Sequence, residues 1–287
     1  MTKHVLIVGF GYLGGVLASL LSKHHHTISA IKRNPSNTDL DIHFIYKDIF
    51  DVTIDDIPTV DFIVYAAAPD KHTEQDYKKT YVDGVGHMLK LYEEKEHHPA
   101  RFIFISSTSV YGYNDGRWVT EDTPPHPTTP TAKLLLQAEQ KVNDSPIDST
   151  IIRFSGIYGP NRMPLLNAVK THQAHICYDT RYSNRIHVVD CARMIYHVMH
   201  LEKNAGLYIG TDCEPTPINT IVSWLSTHLG IQLPESRHNE SPETIEQKAN
   251  KKLSNEKILH TGFRFEFNNF HQGFNYILFK EEHPKKD

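Results

Sequence analysis

Cysteine is scarce in this chain of 287 residues: Cys177, Cys191 and Cys213 lie far apart and form no C-x-x-C pair. Neither a disulfide framework nor a cysteine-based zinc site is indicated, and reduced, buried thiols are the expectation. Long hydrophobic runs are missing too. The N-terminal "HVLIVGFG" has no small-residue cleavage site after it, and no stretch reaches the roughly 18 apolar residues that a spanning helix needs. The expected location is cytoplasmic, with no membrane partner. Positive charge is not in excess either: 30 Lys and Arg face 34 Asp and Glu, a formal net charge of -4. A nucleic-acid partner is therefore not expected, because counterion release needs a concentrated cationic face. A small polar or anionic substrate is compatible with this balance.

What is present supports a large buried core, since 39% of the residues are hydrophobic. Histidine is abundant, with 20 residues including the runs "KHHHT" and "EEKEHHP". Both runs fall where helices are expected to end, and there the helix dipole favours a partly positive side chain. No His/Asp/Glu set has metal-ligand spacing, so no metal is expected.

Short β-rich runs alternate with amphipathic stretches through the first half: "VLIVGF", "YLGGVLASLLSKH", "TISAIKR", "FIYKDI", "VDFIVYAAA", "YKKTYVDGVGHMLKLYEEKE" and "RFIFISS". Strands separated by helical crossovers predict an α/β fold, a doubly wound parallel sheet (Rossmann fold) with helices on both faces. A helix "TAKLLLQAEQKVND" and a strand "DSTIIRF" extend it. The expected division is a cofactor domain over residues 1–155 and a smaller C-terminal substrate-binding lobe over 156–287, with 185–211 returning to the first. The proline-rich "EDTPPHPTTP" reads as a loop walling the active site. Glu121 and Asp122, ahead of its prolines, read as capping residues, with a role as an acid the alternative. Residues 234–257 are polar and charged and read as a solvated face.

"VGFGYLGG" sets Gly9, Gly11 and Gly14 as GxGxxG directly after a strand and at a helix start. The pattern gives a tight turn at Gly9, close approach of a pyrophosphate at Gly11 and close helix packing at Gly14. Tyr12 and Leu13 complete the turn into the helix whose amides would hold the phosphates. An NAD-preferring site would place an acidic residue at the end of the second strand. Here "AIKRN" supplies Lys32 and Arg33, a pair suited to a 2′-phosphate, with Arg33 able to fork onto it. NADP(H) is therefore expected in preference to NAD(H).

The motifs "GFGYLG", "KDIFD", "YAAAP", "FISSTSVYG", "TEDTPPHP", "IIRFSGIYGPNR", "NRIHVVDCARM" and "GLYIGTDCEPTPI" follow one another in an order that resembles the extended short-chain dehydrogenase/reductase superfamily. The branch resembled is that of NAD(P)-dependent epimerases and dehydratases. The resemblance implies that Asp48 and Ile49 flank the adenine and that Ala66, Ala67 and Ala68 line the cofactor. It implies that Ser107 polarises the reacting oxygen and that Lys133 binds the nicotinamide ribose. Thr108, Tyr111, Arg185 and His187 become substrate-side candidates, and a homodimer through two helices beside the active site is implied.

The family's tyrosine, four residues before its lysine, is here Thr129, whose alkyl hydroxyl cannot ionise usefully near neutral pH. Thr108 and Ser109 stand where sugar-nucleotide dehydratases carry an Asp-Glu pair, so water elimination is not expected. Ser183 replaces a diphosphate-binding arginine, with Arg181 and Arg185 nearby, so the pocket does not read as built for a UDP-sugar. These departures resemble an atypical group lacking the tyrosine. Tyr111, Tyr113, Tyr158 and His187 remain as groups that could move the proton. Two functions are expected in order: an NAD(P)-dependent oxidoreductase or epimerase acting on a small hydroxy or keto compound, such as a sugar derivative, or a non-catalytic NADP(H)-binding sensor.

Overall fold

The run Val5, Leu6, Ile7, Val8 has no polar face, and all four side chains are fully buried. A strand covered by helices on both sides accommodates such a run, and it becomes the centre of the sheet. The computed structural model describes residues 2–176, 181–203, 206–233 and 249–283; Cys177 and residues 234–248 of the polar segment lie outside the described residues.

The chain runs β1 (His4–Val8), α1 (Tyr12–Lys23), β2 (Thr27–Lys32), β3 (His43–Tyr46) and β4 (Phe62–Tyr65). It continues through α2 (Glu74–Tyr77), a π-helical stretch Lys78–Asp83, α3 (Gly84–Glu93), β5 (Arg101–Ser107), β6 (Trp118–Val119), α4 (Pro130–Asp144) and β7 (Ser149–Phe154). Then follow β8 (Gly156–Tyr158), α5 (Pro164–Lys170), β9 (Tyr182–Ser183), β10 (Arg185–His187), α6 (Val188–Met199) and β11 (Leu207–Gly210). The last elements are β12 (Thr216–Pro217), α7 (Ile218–Leu229), β13 (Lys252–Leu253), α8 (Glu256–His260) and α9 (Phe270–Glu282).

A seven-stranded sheet has the order β11-β7-β5-β4-β1-β2-β3. The pairings β1–β2, β2–β3, β1–β4, β4–β5 and β5–β7 are all parallel. The chain moves outward from β1 to β3 and then starts again on the other side with β4, so the order reverses between β1 and β4. Ligands bind at such a reversal, outside the carboxyl ends of the strands. The chain divides into one unit of Met1–Val110, Pro127–Phe154 and Cys191–Tyr208, and a second of Tyr111–His126, Ser155–Asp190 and Ile209–Asp287. The segment 111–126 thus groups with the second unit.

In the first unit, α1 is tied to α6 by the stacked rings of His24 and Tyr196, 4.6 Å apart. His24 is the C-cap of α1, as the sequence predicts for "KHHHT". His97 and His98 do not fit the same expectation: α3 ends at Glu93, and both histidines are exposed beyond the last turn, where its dipole is weak. The stretch read as one continuous helix is broken into α2, a π-helical turn and α3. The Tyr65 hydroxyl donates to the Thr80 carbonyl inside that turn, 2.5 Å away. A Cβ on Gly84 would fall 2.4 Å from the same hydroxyl, so the glycine makes the room that Tyr65 needs.

Arg153 of β7 and Glu139 of α4 form a buried ion pair, with side chains only 5% and 2% exposed. Arg153 Nε donates to Glu139 Oε1 at 2.9 Å, and the Ser106 hydroxyl donates to the same oxygen at 2.6 Å. The pair anchors α4 on β5 and β7 next to the strand end that carries Ser107. Arg153→Met is expected to destabilise the protein by about 3–5 kcal/mol in urea denaturation, because it leaves a buried carboxylate without its cation. Adding Glu139→Leu should recover most of that loss.

In the second unit, short strands pair as β8–β10, β9–β12 and β6–β13. Leu166, Ile221, Leu225, Phe270 and Phe274 of α5, α7 and α9 share one apolar core. The Asn184 side chain donates to Lys251 O at 2.9 Å and accepts from Leu253 N at 2.9 Å, which fixes β13. Lys251, Leu253 and Asn255 are buried, so this part of the polar segment is packed interior and not the solvated face its composition suggests. Burial brings the Lys251 amine down to about 8.

Candidate functional site

Between β1 and α1 the chain turns at Gly9 with φ +97°, a conformation L side chains rarely adopt. A Cβ there would lie 2.4 Å from Ala67 Cα, so backbone packs directly on backbone. Gly14 is closed by the same logic, 2.6 Å from the Gly9 carbonyl oxygen. Gly11, the exposed N-cap of α1, has nothing within 4 Å of a notional Cβ, and no acidic residue lies in the first helical turn. The result is an open, electropositive backbone cradle that fits a pyrophosphate. Tyr12 is half-buried beside it and Leu13 is buried beneath the helix.

Around the cradle, the Ala66 amide donates to Val8 O at 2.8 Å, Ala67 touches Gly9, and Ala68 is exposed. Asp48 caps the 3-10 turn Ile49–Asp51 by accepting from Phe50 N at 3.2 Å, and it lies 3.5 Å from Lys79 Nζ. Ile49 is half-buried against the Gly84 position. At the end of β2 the Lys32 ammonium lies over the rings of Phe10 and Phe44, 5.3 and 5.8 Å from their centroids. Arg33 is exposed and forks onto Asp70, with Nη1 and Nη2 donating at 2.7 and 2.6 Å. Hydrogen bonding to Asp70 raises the guanidinium pKa further.

Ser107 ends β5 half-buried, its Oγ accepting from Ser109 N at 3.2 Å, while Thr108 is buried. Lys133 lies in the first turn of α4, its amide donating to Thr129 O at 3.1 Å and its exposed side chain making no hydrogen bond or ion pair among the described residues. Thr129 is the N-cap of that helix: its Oγ1 accepts from Ala132 N at 3.2 Å, and Pro130 takes the first helical position. The place of the family tyrosine is filled by a helix cap.

In the second unit Tyr111 is fully buried and its backbone bridges to His126. Tyr113 donates its hydroxyl to Pro124 O at 2.8 Å and stacks on His126. Glu121 does not cap a helix: its carboxylate accepts from Ile209 N at 2.8 Å, and burial raises its pKa.

A cavity of about 140 Å³ in this unit is lined by Tyr158, Met163, Ser183, Asn184, Arg185 and Phe274, among others. Arg185 Nη2 donates to Ser183 Oγ at 2.6 Å, and its Nε is buried without a hydrogen-bond partner among the described residues. Asp212 donates its backbone N–H to Arg185 O at 2.7 Å, and its Oδ2 also has no hydrogen-bond partner among the described residues. Burial holds the Asp212 carboxyl well above the usual range, favouring the neutral acid. His187 is not among the cavity residues. It is 1% exposed, boxed by Tyr158, Phe267 and Tyr276, with Nδ1 accepting from Val189 N at 3.4 Å.

The structure thus brings Gly9, Gly11, Gly14 and the alanines into one cradle, with Lys32 and Arg33 at the end of β2. It gives Arg185 a cavity and encloses His187 and Tyr111. Sequence reasoning missed Asp70, which directly follows the quoted "YAAAP", and Asp212, an acid at the end of an apolar strand. Their signal was charge beside motif, readable only once a partner is known.

A reversed-order parallel sheet with this phosphate turn defines a dinucleotide-binding α/β protein. Over residues 5–209 the chain matches the NAD dependent epimerase/dehydratase family, and it belongs to that family. It is 27% identical over 251 residues to Protein YeeZ of Escherichia coli K12, covering 82% of this chain and 87% of YeeZ. A Methylobacillus flagellatus protein assigned to the NAD-dependent epimerase/dehydratases is 28% identical, with a TM-score of 0.80 over 99% of this chain and 100% of that one. The human epimerase family protein SDR39U1, solved with NADPH, shares the fold at 16% identity and a TM-score of 0.78, covering 96% of this chain and 98% of its own. No helix among the described residues is long and apolar enough to cross a membrane.

Burial lowers the His187 pKa from 6.5 to about 4, with the Lys280 charge adding to the effect. Between these values the unfolded chain takes up a proton that the folded chain refuses, so stability falls as pH drops from 6.5 towards 4. A loss of about 2 kcal/mol between about pH 7 and about pH 5 is expected from this group. His187→Phe should make the fall in Tm over that interval correspondingly shallower.

Proposed function

We propose that this family member is an NADP(H)-dependent oxidoreductase or epimerase acting on a small hydroxy or keto compound that carries an anionic group. The observation that carries the reading is the open backbone cradle at Gly9 and Gly11 together with two cations, Lys32 and Arg33, at the end of β2. When bound, the nicotinamide supplies hydride transfer. The amides following Gly11 hold the pyrophosphate, and Lys32 and Arg33 hold the 2′-phosphate. Lys133, uncommitted among the described residues, orients the ribose, and Ser107 offers its hydroxyl to the reacting oxygen.

Arg185 supports the anionic substrate group. Its guanidinium has a buried Nε with no hydrogen-bond partner among the described residues, beside a cavity of about 140 Å³ with room for a carboxylate or phosphate.

A second reading, an NADP(H) sensor without turnover, draws on Thr129, whose hydroxyl is engaged in capping α4 and cannot serve as an ionisable proton carrier. Titration with NADPH and NADH, followed by fluorescence, tests the shared element. Arg33→Ala should weaken NADPH binding roughly 10- to 100-fold, the worth of a charge-assisted contact, with NADH unaffected. Ser107→Ala separates the two readings: under the catalytic reading turnover with a substrate found by screening falls roughly 100-fold while cofactor affinity stays. Unchanged turnover in that variant removes Ser107 from the chemistry, and no NADPH oxidation across a panel of anionic carbonyl compounds favours the sensor.

A further inference from the structure

Arg33 and Asp70 leave the sheet on opposite sides of β1: Arg33 directly follows β2, and Asp70 lies five residues beyond the end of β4. Both flanking strands pair with β1. The Gly9 turn is wedged between the same two segments, its amide donating to Ile31 O at 3.1 Å and its Cα face touching Ala67. The bidentate pair therefore links the two sides of the phosphate turn. Both side chains are more than half exposed, so neither is held there by packing, and a ligand can separate them.

Arg33 is also the cation assigned above to the 2′-phosphate, and Asp70 already occupies its fork. We infer that Asp70 is a specificity-determining residue: it competes with the 2′-phosphate for Arg33 and so lowers this protein's preference for NADP(H) over NAD(H). A 2′-phosphate must displace the carboxylate from the guanidinium and then sit near that negative charge. A ribose 2′-hydroxyl is neutral and leaves the pair intact. No other acidic partner of Arg33 is hydrogen-bonded among the described residues, so the competition falls on this one contact. Lys32 is unaffected, because its charge rests over Phe10 and Phe44 and not on an acid. This inference rests on the 2′-phosphate reading of Arg33.

The test uses the full chain with NADPH, NADH and the probe 2′,5′-ADP, measuring Kd for the wild type, Asp70→Asn, Arg33→Ala and the double variant. Asp70→Asn should tighten NADPH and 2′,5′-ADP roughly two- to five-fold, the range of an exposed ion pair, and leave NADH unchanged. The gain should shrink at high salt, where an exposed pair is screened. In the Arg33→Ala background the same change should give no gain. If Arg33→Ala weakens NADPH but Asp70→Asn leaves the NADPH-to-NADH ratio where it was, the competition is overturned and the 2′-phosphate reading stands. If Asp70→Asn weakens NADH, Asp70 is a ribose ligand instead. Should the gain persist without Arg33, it is general charge removal, and the inference fails. If Arg33→Ala leaves NADPH binding untouched, the 2′-phosphate reading fails and takes this inference with it.

Discussion

Backbone touches backbone where the Gly9 turn meets Ala67, and the cofactor half of the molecule is organised around that contact. Any side chain at Gly9 would push β1 away from the segment after β4, at the point where the strand order reverses. The reversal makes the crevice, the positive φ turns the chain into α1, and α1 brings its free amides to the crevice floor. Ala66 and Ala67 supply the backbone atoms that the turn meets, and Ala68 beyond them is exposed. The two segments held apart by one backbone thickness then end in Arg33 and Asp70, close enough to form a bidentate pair. Geometry at a glycine thus fixes where opposite charges meet.

The second unit is organised by burial of charge. Arg185 Nε, Asp212 Oδ2 and His187 Nε2 are buried polar atoms without hydrogen-bond partners among the described residues. Leaving such a group unmade costs about 1–3 kcal/mol. The neutral forms favoured for Asp212 and His187 reduce that cost, since a neutral group loses less solvation than an ion. Arginine does not have the same escape, because its guanidinium stays charged, and among the described residues it retains one hydrogen bond, to Ser183, and the face of Phe274. The guanidinium thus stands to gain from an anion.

The sheet was legible because its evidence is periodic: apolar runs of strand length, each followed by an amphipathic stretch, leave few alternatives to parallel pairing. The phosphate turn was legible because three glycines at fixed spacing carry a mechanism. What escaped depends on partners distant in sequence. Glu121 beside a proline loop reads as a cap, yet its acceptor role is defined by Ile209, 88 residues away. Lys251 to Asn255 read as solvated by composition, but Asn184 supplies the hydrogen bonds that draw them into a strand pair. The π-helical turn before α3 offers a carbonyl to the Tyr65 hydroxyl, a partnership that no helical periodicity reveals. Asp70 stood next to a recognised motif, and only its pairing with Arg33 gives it meaning.

Thr129 shows why the chemistry was harder to read than the fold. A tyrosine in the family's position does two things at once, presenting a phenol and lying one helical turn before its lysine. Here the residue's short hydroxyl folds back on the Ala132 amide, and Pro130 pre-sets the first helical φ. That arrangement stabilises the start of α4 by about 1 kcal/mol relative to an uncapped end. A phenol oxygen, held away from the backbone by a rigid ring, cannot make the same local contact. The cap therefore excludes the proton relay from this position, while α4 still presents Lys133 in its first turn. Under the proposed function, cofactor orientation by Lys133 and proton transfer, joined on one helix in the family resembled, fall to separate groups, and the one that moves the proton is not Thr129.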